Sequence, residues 1–77
     1  MQLEIITPEK NLYKGEVESV NLPGSDGSFG LLNDHAPIVS TLKAGEIKIV
    51  ENGSEKTFSV NGGVVEVNNN KVIVLAE

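Results

Sequence analysis

The sequence predicts a small all-β domain, an antiparallel β-sandwich or flattened barrel occupying residues 1–77 as one unit, and three observations lead there. Apolar and polar residues alternate in short runs, the pattern of half-buried strands. Glycine and asparagine, eight of each, collect between those runs. No extended window repeats apolar residues at the i, i+3, i+4, i+7 spacing of a helix.

Taken in order, Leu3 and Ile5 share one face of a first strand and Val20 and Leu22 one face of another. Ile47 and Ile49 repeat the pattern, and Phe58 and Val60 continue it. Val64-Val65-Glu66-Val67 and Val72-Ile73-Val74-Leu75 are denser in β-branched residues, as expected of core strands covered on both faces. Asn52-Gly53 between two such runs has the composition of a type I′ hairpin turn, with Glu51 and Ser54-Glu55 available to lengthen the loop. Asn61-Gly62-Gly63 and Asn68-Asn69-Asn70 are expected to punctuate the remaining strands. Val17 and Val20 stand three apart, which either places a β-bulge at Glu18-Ser19 or leaves Val17 facing solvent. Turn signals at these short intervals are those of a sandwich or small barrel.

Composition narrows what such a domain does. Leu, Ile, Val and Phe supply 25 of the 77 residues, enough to fold, although a domain this small has a thin core and gains from a partner that binds only its folded form. Cysteine is absent, so no disulfide or thiolate metal site stiffens it. Six lysines, no arginine and eleven acids give a net charge of -5, which repels phosphate backbones and anionic headgroups and argues against nucleic-acid binding. The start Met1-Gln2-Leu3-Glu4-Ile5-Ile6-Thr7 lacks the charged, then apolar, pattern of a signal peptide, and no membrane-spanning run is present.

Catalytic readings are weak. Asp34-His35, with Ser25, Ser28 or Ser40 as nucleophile, lacks the strand-elbow motif that presents a reactive serine. His35 is the sole histidine and carboxylates do not cluster at ligand spacing, so no metal is expected. Gly24-Ser25-Asp26-Gly27-Ser28-Phe29-Gly30 carries no following helix and no Gly-Lys-Ser/Thr ending, so it is not a phosphate cradle. No cofactor is expected. What stands out instead is Pro23 to Leu42, where turn formers alternate with Phe29, Leu31, Leu32, Ala36, Pro37, Ile38, Val39 and Leu42. That excess reads as irregular strands over the core combined with an apolar patch for a partner.

The series Leu22-Pro23-Gly24-x-x-Gly27-x-Phe29-Gly30-x-Leu32-x-x-His35-Ala36-Pro37 resembles the signature of the epsilon subunit of F-type ATP synthases. Leu3 to Glu9, Gly15-Glu16-Val17, Leu42-Lys43-Ala44-Gly45, Val60 to Val67 and Asn70 to Ala76 resemble the family's other strands in order and spacing. The resemblance implies a sandwich of about ten short strands and a non-catalytic rotor subunit. That subunit docks the gamma subunit to the c-ring on the cytoplasmic side of the membrane, peripherally and without insertion, and couples rotation to ATP synthesis. Carried over by position, Thr7, His35, Ala36, Pro37, Ile38, Val39, Ser40 and Thr41 look like gamma-facing surface, and Ser25, Asp26, Gly27, Ser28 and Phe29 like the c-ring-facing edge. Many relatives carry an acid where this chain has Ser28, and Asp26 is the nearby replacement. Typical members continue into a C-terminal pair of helices, whereas this sequence stops at Glu77, so neither autoinhibition nor nucleotide binding is expected of it. The alternative from another class is a biotinyl or lipoyl carrier, which needs a lysine at a hairpin tip. Asn52-Gly53 and Asn68-Asn69-Asn70 have none there, although Lys71 is close.

Overall fold

The computed structural model describes residues 1–77. Seven strands form: β1 (Gln2–Ile6), β2 (Asn11–Glu16), β3 (Ser19–Gly24), β4 (Gly27–Leu32), β5 (Ile38–Glu51), β6 (Ser54–Asn68) and β7 (Lys71–Ala76). They join in the order β2-β1-β7-β6-β5-β3-β4, through antiparallel ladders except for β1 and β7, which run parallel. The all-β class expected from the sequence is present; the strand count and the purely antiparallel pairing are not. Fewer strands appear because β5 and β6, of 14 and 15 residues, each do the work of two.

The first part of β5 and the last part of β6 extend the β2-β1-β7 ladder into one layer; their other halves form the second with β3 and β4. The change of layer falls where side chains are missing. Against β3 the register of β5 slips between Asn21 and Gly24, where Pro23 has no N–H to give to a ladder. Gly45 lies there so close to Pro23 that a Cβ would stand 2.8 Å from the proline Cβ. On β6, Gly62 and Gly63 have φ of 139° and 144°, and a Cβ on Gly63 would fall 2.2 Å from the Leu75 carbonyl oxygen. Asn61-Gly62-Gly63 therefore is no turn, contrary to the sequence expectation. It lies inside a continuous strand, and the glycines let the backbones crowd.

Between the layers lies one core of 16 buried residues, with Leu3, Ile5, Val20, Leu22, Ile47 and Ile49 facing inward as their alternation predicts. Val17 is neither solvent-facing nor part of a bulged strand. The chain breaks between β2 and β3, its N–H donates to Met1 O, and Val17 and Val20 both turn into the core. The Asn52-Gly53 loop is not lengthened: Glu51 pairs directly with Ser54, and both central residues have positive φ, 50° and 77°, as a type I′ turn requires. Asn69-Asn70 makes the matching turn between β6 and β7, with φ of 51° and 59°.

The two layers are also tied by side chains. Tyr13 of β2 packs on Phe58 of β6, ring centroids 5.6 Å apart, and its hydroxyl donates to Glu51 Oε2 of β5 at 2.6 Å. Lys56 Nζ pairs with the other Glu51 oxygen at 2.8 Å and sits 5.9 Å from the centre of the Tyr13 ring. Burial and then the Glu51 hydrogen bond push the Tyr13 phenol up to about 12. The Lys56 and then the Tyr13 hydrogen bonds hold the Glu51 carboxyl below its ordinary value.

Candidate docking surface

A strand whose inner residues fill the core presents every second side chain to the opposite face. On β7 these are Ile73 and Leu75, on β6 Val64 and Glu66, on β5 Val39 and Thr41, and on β1 Glu4 and Ile6. The ladders line them up in two rows. Ile6 stands beside Leu75, Leu75 beside Val64, and Val64 beside Thr41; Glu4 stands beside Ile73, Ile73 beside Glu66, and Glu66 beside Val39. Neighbours in such rows are about 5 Å apart, so their side chains form one continuous surface. Val39 is 71% exposed, Leu75 55% and Val64 40%, with Ile6 and Ile73 half-buried beside them. The expectation that β6 and β7 are covered on both faces is thus half met: Val65, Val67, Val72 and Val74 are buried, and the outward face lies open.

Among the expected gamma-facing residues, Val39 and Thr41 lie in these rows. Ile38 and Ser40 alternate with them and face inward: Ile38 packs on the core, and half-buried Ser40 pairs with buried Val65. His35, Ala36 and Pro37 are exposed in the connection between β4 and β5. The His35 Nδ1 lies 2.7 Å from the Ala36 carbonyl oxygen, and the loop is pinned by the Asp34 N–H, which donates to Asn70 Oδ1 at 2.8 Å. Neither contact brings a serine to the histidine. Thr7 closes the turn between β1 and β2, its hydroxyl donating to Lys10 O and accepting from Lys10 N–H.

The Ser25-Asp26 turn joins β3 to β4, with Ser25, Asp26, Gly27 and Ser28 exposed. Phe29 differs: it is half-buried against the core and covers Gly24, where a Cβ would meet its ring at 2.8 Å. It anchors the turn from below. The turn in turn continues the first apolar row, because the Ser25 N–H donates to Thr41 O at 3.0 Å and the Thr41 hydroxyl to Ser25 Oγ at 2.8 Å. The two regions that the resemblance implies for different partners are therefore hydrogen-bonded to each other.

Sequence reasoning missed Ile6, Val64, Ile73 and Leu75 as surface residues, and it missed the Tyr13–Glu51–Lys56 tie. For the first group a signal was present: a run of four apolar residues, Val72 to Leu75, exceeds what one buried face needs.

Fold and surface together define a small β-sandwich with one largely apolar outer face and one that is polar apart from Leu32 and Val50. Residues 1–77 match the family described as ATP synthase, Delta/Epsilon chain, beta-sandwich domain, and the chain belongs to that family. A protein of Leptospira borgpetersenii serovar Hardjo-bovis named ATP synthase epsilon chain is 47% identical over 77 residues, covering 100% of this chain and 61% of the relative. One of the same name from Chlorobium limicola is 43% identical over 77 residues, covering 99% of this chain and 88% of the relative. The chain thus spans less than two thirds of the length of the first and most of the second. Among solved structures, a chain of the Tetrahymena thermophila mitochondrial ATP synthase central stalk/c-ring superposes with a TM-score of 0.83 at 18% identity, over 97% of this chain and 61% of that one. A chain of the Euglena gracilis mitochondrial ATP synthase OSCP/F1/c-ring assembly gives 0.88 at 23%, over 96% and 48%. Both share the fold.

Proposed function

We propose that this chain is the β-sandwich of a non-catalytic central-stalk subunit of a rotary F-type ATP synthase, peripheral on the cytoplasmic side. In this reading the outer face of β1, β7, β6 and the start of β5 seats on the gamma subunit, and the Ser25–Phe29 turn rests on the c-ring. One observation carries it: the outward rows of exposed Leu75, Val64 and Val39 with half-buried Ile6 and Ile73 beside them. A cover over them turns β7 into the doubly buried strand that its composition calls for. Membership of the Delta/Epsilon-chain family supports the gamma subunit as that cover.

The geometry also suits transmission of torque. Ser25 and Thr41 join the turn to the apolar face without a hinge, and a close-packed body passes strain instead of absorbing it. Catalysis has no place in this reading.

Co-expression with the gamma subunit of the same enzyme followed by native mass spectrometry tests the proposal. The expected result is a stable one-to-one complex; two separate proteins at micromolar concentration would overturn it.

A further inference from the structure

The β5–β6 hairpin ends at Asn52-Gly53, at the opposite end of β5 from the Ser25-Asp26 turn, and the proposed docking uses nothing there. Both residues are exposed. An asparagine followed by glycine is chemically labile. The glycine nitrogen, unscreened by any Cβ, attacks the asparagine Cγ as it gives up its proton. The C–N bond to the side-chain amide breaks, ammonia leaves with that proton, and a five-membered succinimide remains. Water then opens the ring at one carbonyl or the other, leaving aspartate or isoaspartate. No further reactant is needed.

We propose that Asn52 is a deamidation site and that Glu18 guards it. Glu18 lies in the link between β2 and β3, held by its own N–H bond to Val50 O at 2.8 Å, and its Oε1 accepts the Gly53 N–H at 2.9 Å. That contact acts on the attacking atom in two ways. A carboxylate against the N–H disfavours loss of the proton. It also clamps the turn shut, and in a closed type I′ turn the left-handed Asn52 carries the next nitrogen anti to its Cβ, out of reach of Cγ. Reaction requires the turn to open, and opening it breaks the bond to Glu18.

The product is disruptive here. Aspartate at position 52 adds a charge between Glu51 and the Glu18 carboxylate, and isoaspartate adds a methylene to the backbone of a turn with room for only two residues between Glu51 and Ser54. The chain contains its own reference, because Asn61-Gly62 is the same dipeptide held in the middle of β6. There the Asn61 N–H donates to Glu77 O and Gly62 O accepts the Glu77 N–H.

The test is incubation of the wild type and Glu18→Ala in mildly alkaline buffer, with peptide mapping by mass spectrometry to follow conversion at both positions. Glu18 is exposed, so the substitution removes no core contact. The expected outcome is a rise of about fivefold in the ratio of the rate at position 52 to that at position 61, the order set by losing a charge-assisted hydrogen bond at an exposed site. An unchanged ratio overturns the proposal, whether neither rate moves or both rise together through general loosening.

Discussion

The two outer faces of the sandwich are built on the same alternation and end in opposite chemistry. Outside the layer of β3, β4 and the distal halves of β5 and β6, the ladders place Asn21 beside Lys48 and Lys48 beside Thr57, and Glu46 beside Ser59; its apolar members are exposed Leu32 and half-buried Val50, in one row with Ser19 and Glu55. Outside the other layer the equivalent positions hold Ile6, Leu75, Val64, Ile73 and Val39. A strand pattern needs only one apolar face to fold, so the first surface is what folding requires and the second is more than it requires. In the proposed function that surplus seats the gamma subunit.

Neighbouring residues on β7 separate the two roles most strongly. Val74 is fully buried and Leu75 is not. Val74→Ala should lower the unfolding free energy by roughly 2 kcal/mol, with gamma affinity following only the folded fraction. Leu75→Ala should leave stability within about 0.5 kcal/mol, and its effect should fall on binding. Urea unfolding of both variants checks the contrast, and equal destabilisation would erase it.

A smaller effect concerns how the layers are held together. The chain has one tyrosine, so the ultraviolet absorbance change of phenol ionisation reports Tyr13 alone. Its folded-state value, about 12, lies above the ordinary 10.0, so the neutral phenol contributes stability at lower pH, and that contribution disappears as pH rises from 10.0 towards 12. Glu51 has the opposite sign: its lowered value contributes above the ordinary carboxylate range and is lost in acid. The phenol titration midpoint should lie near 12 in the wild type and move part of the way back towards 10.0 in Glu51→Gln, since burial remains. An unmoved midpoint would remove Glu51 from the tie.

Much of the fold was legible because alternation acts locally: Leu3 and Ile5, Val20 and Leu22, and Ile47 and Ile49 all face the core. Asn52-Gly53 was legible for the same reason, since an I′ turn is decided by the two residues inside it. Gly62-Gly63 was not, because positive φ serves a turn and a crowded strand equally, and only the Leu75 carbonyl across the ladder distinguishes them. The parallel pairing of β1 with β7 joins the two ends of the chain, a choice of topology that no local window contains. As for the exposed apolar rows, the excess of apolar residues in Pro23–Leu42 includes one of their members, Val39, which is exposed. The larger share, Leu75, Val64 and Ile73, was hidden by the assumption that every dense apolar strand is covered within its own chain.

The central claim is that the β7 side, and not the other, is the gamma-binding surface. Leu75 and Leu32 give a matched pair, since both are exposed leucines and Leu32, at 68%, is the more exposed; Leu32 lies on edge strand β4, beside Ser19. The measurement is the affinity for the gamma subunit of Leu75→Glu and Leu32→Glu by titration calorimetry. A charge buried in the middle of the interface should weaken binding about thirtyfold or more for Leu75→Glu, and Leu32→Glu should stay within about twofold of wild type. Equal losses, or a larger loss for Leu32→Glu, would contradict the account.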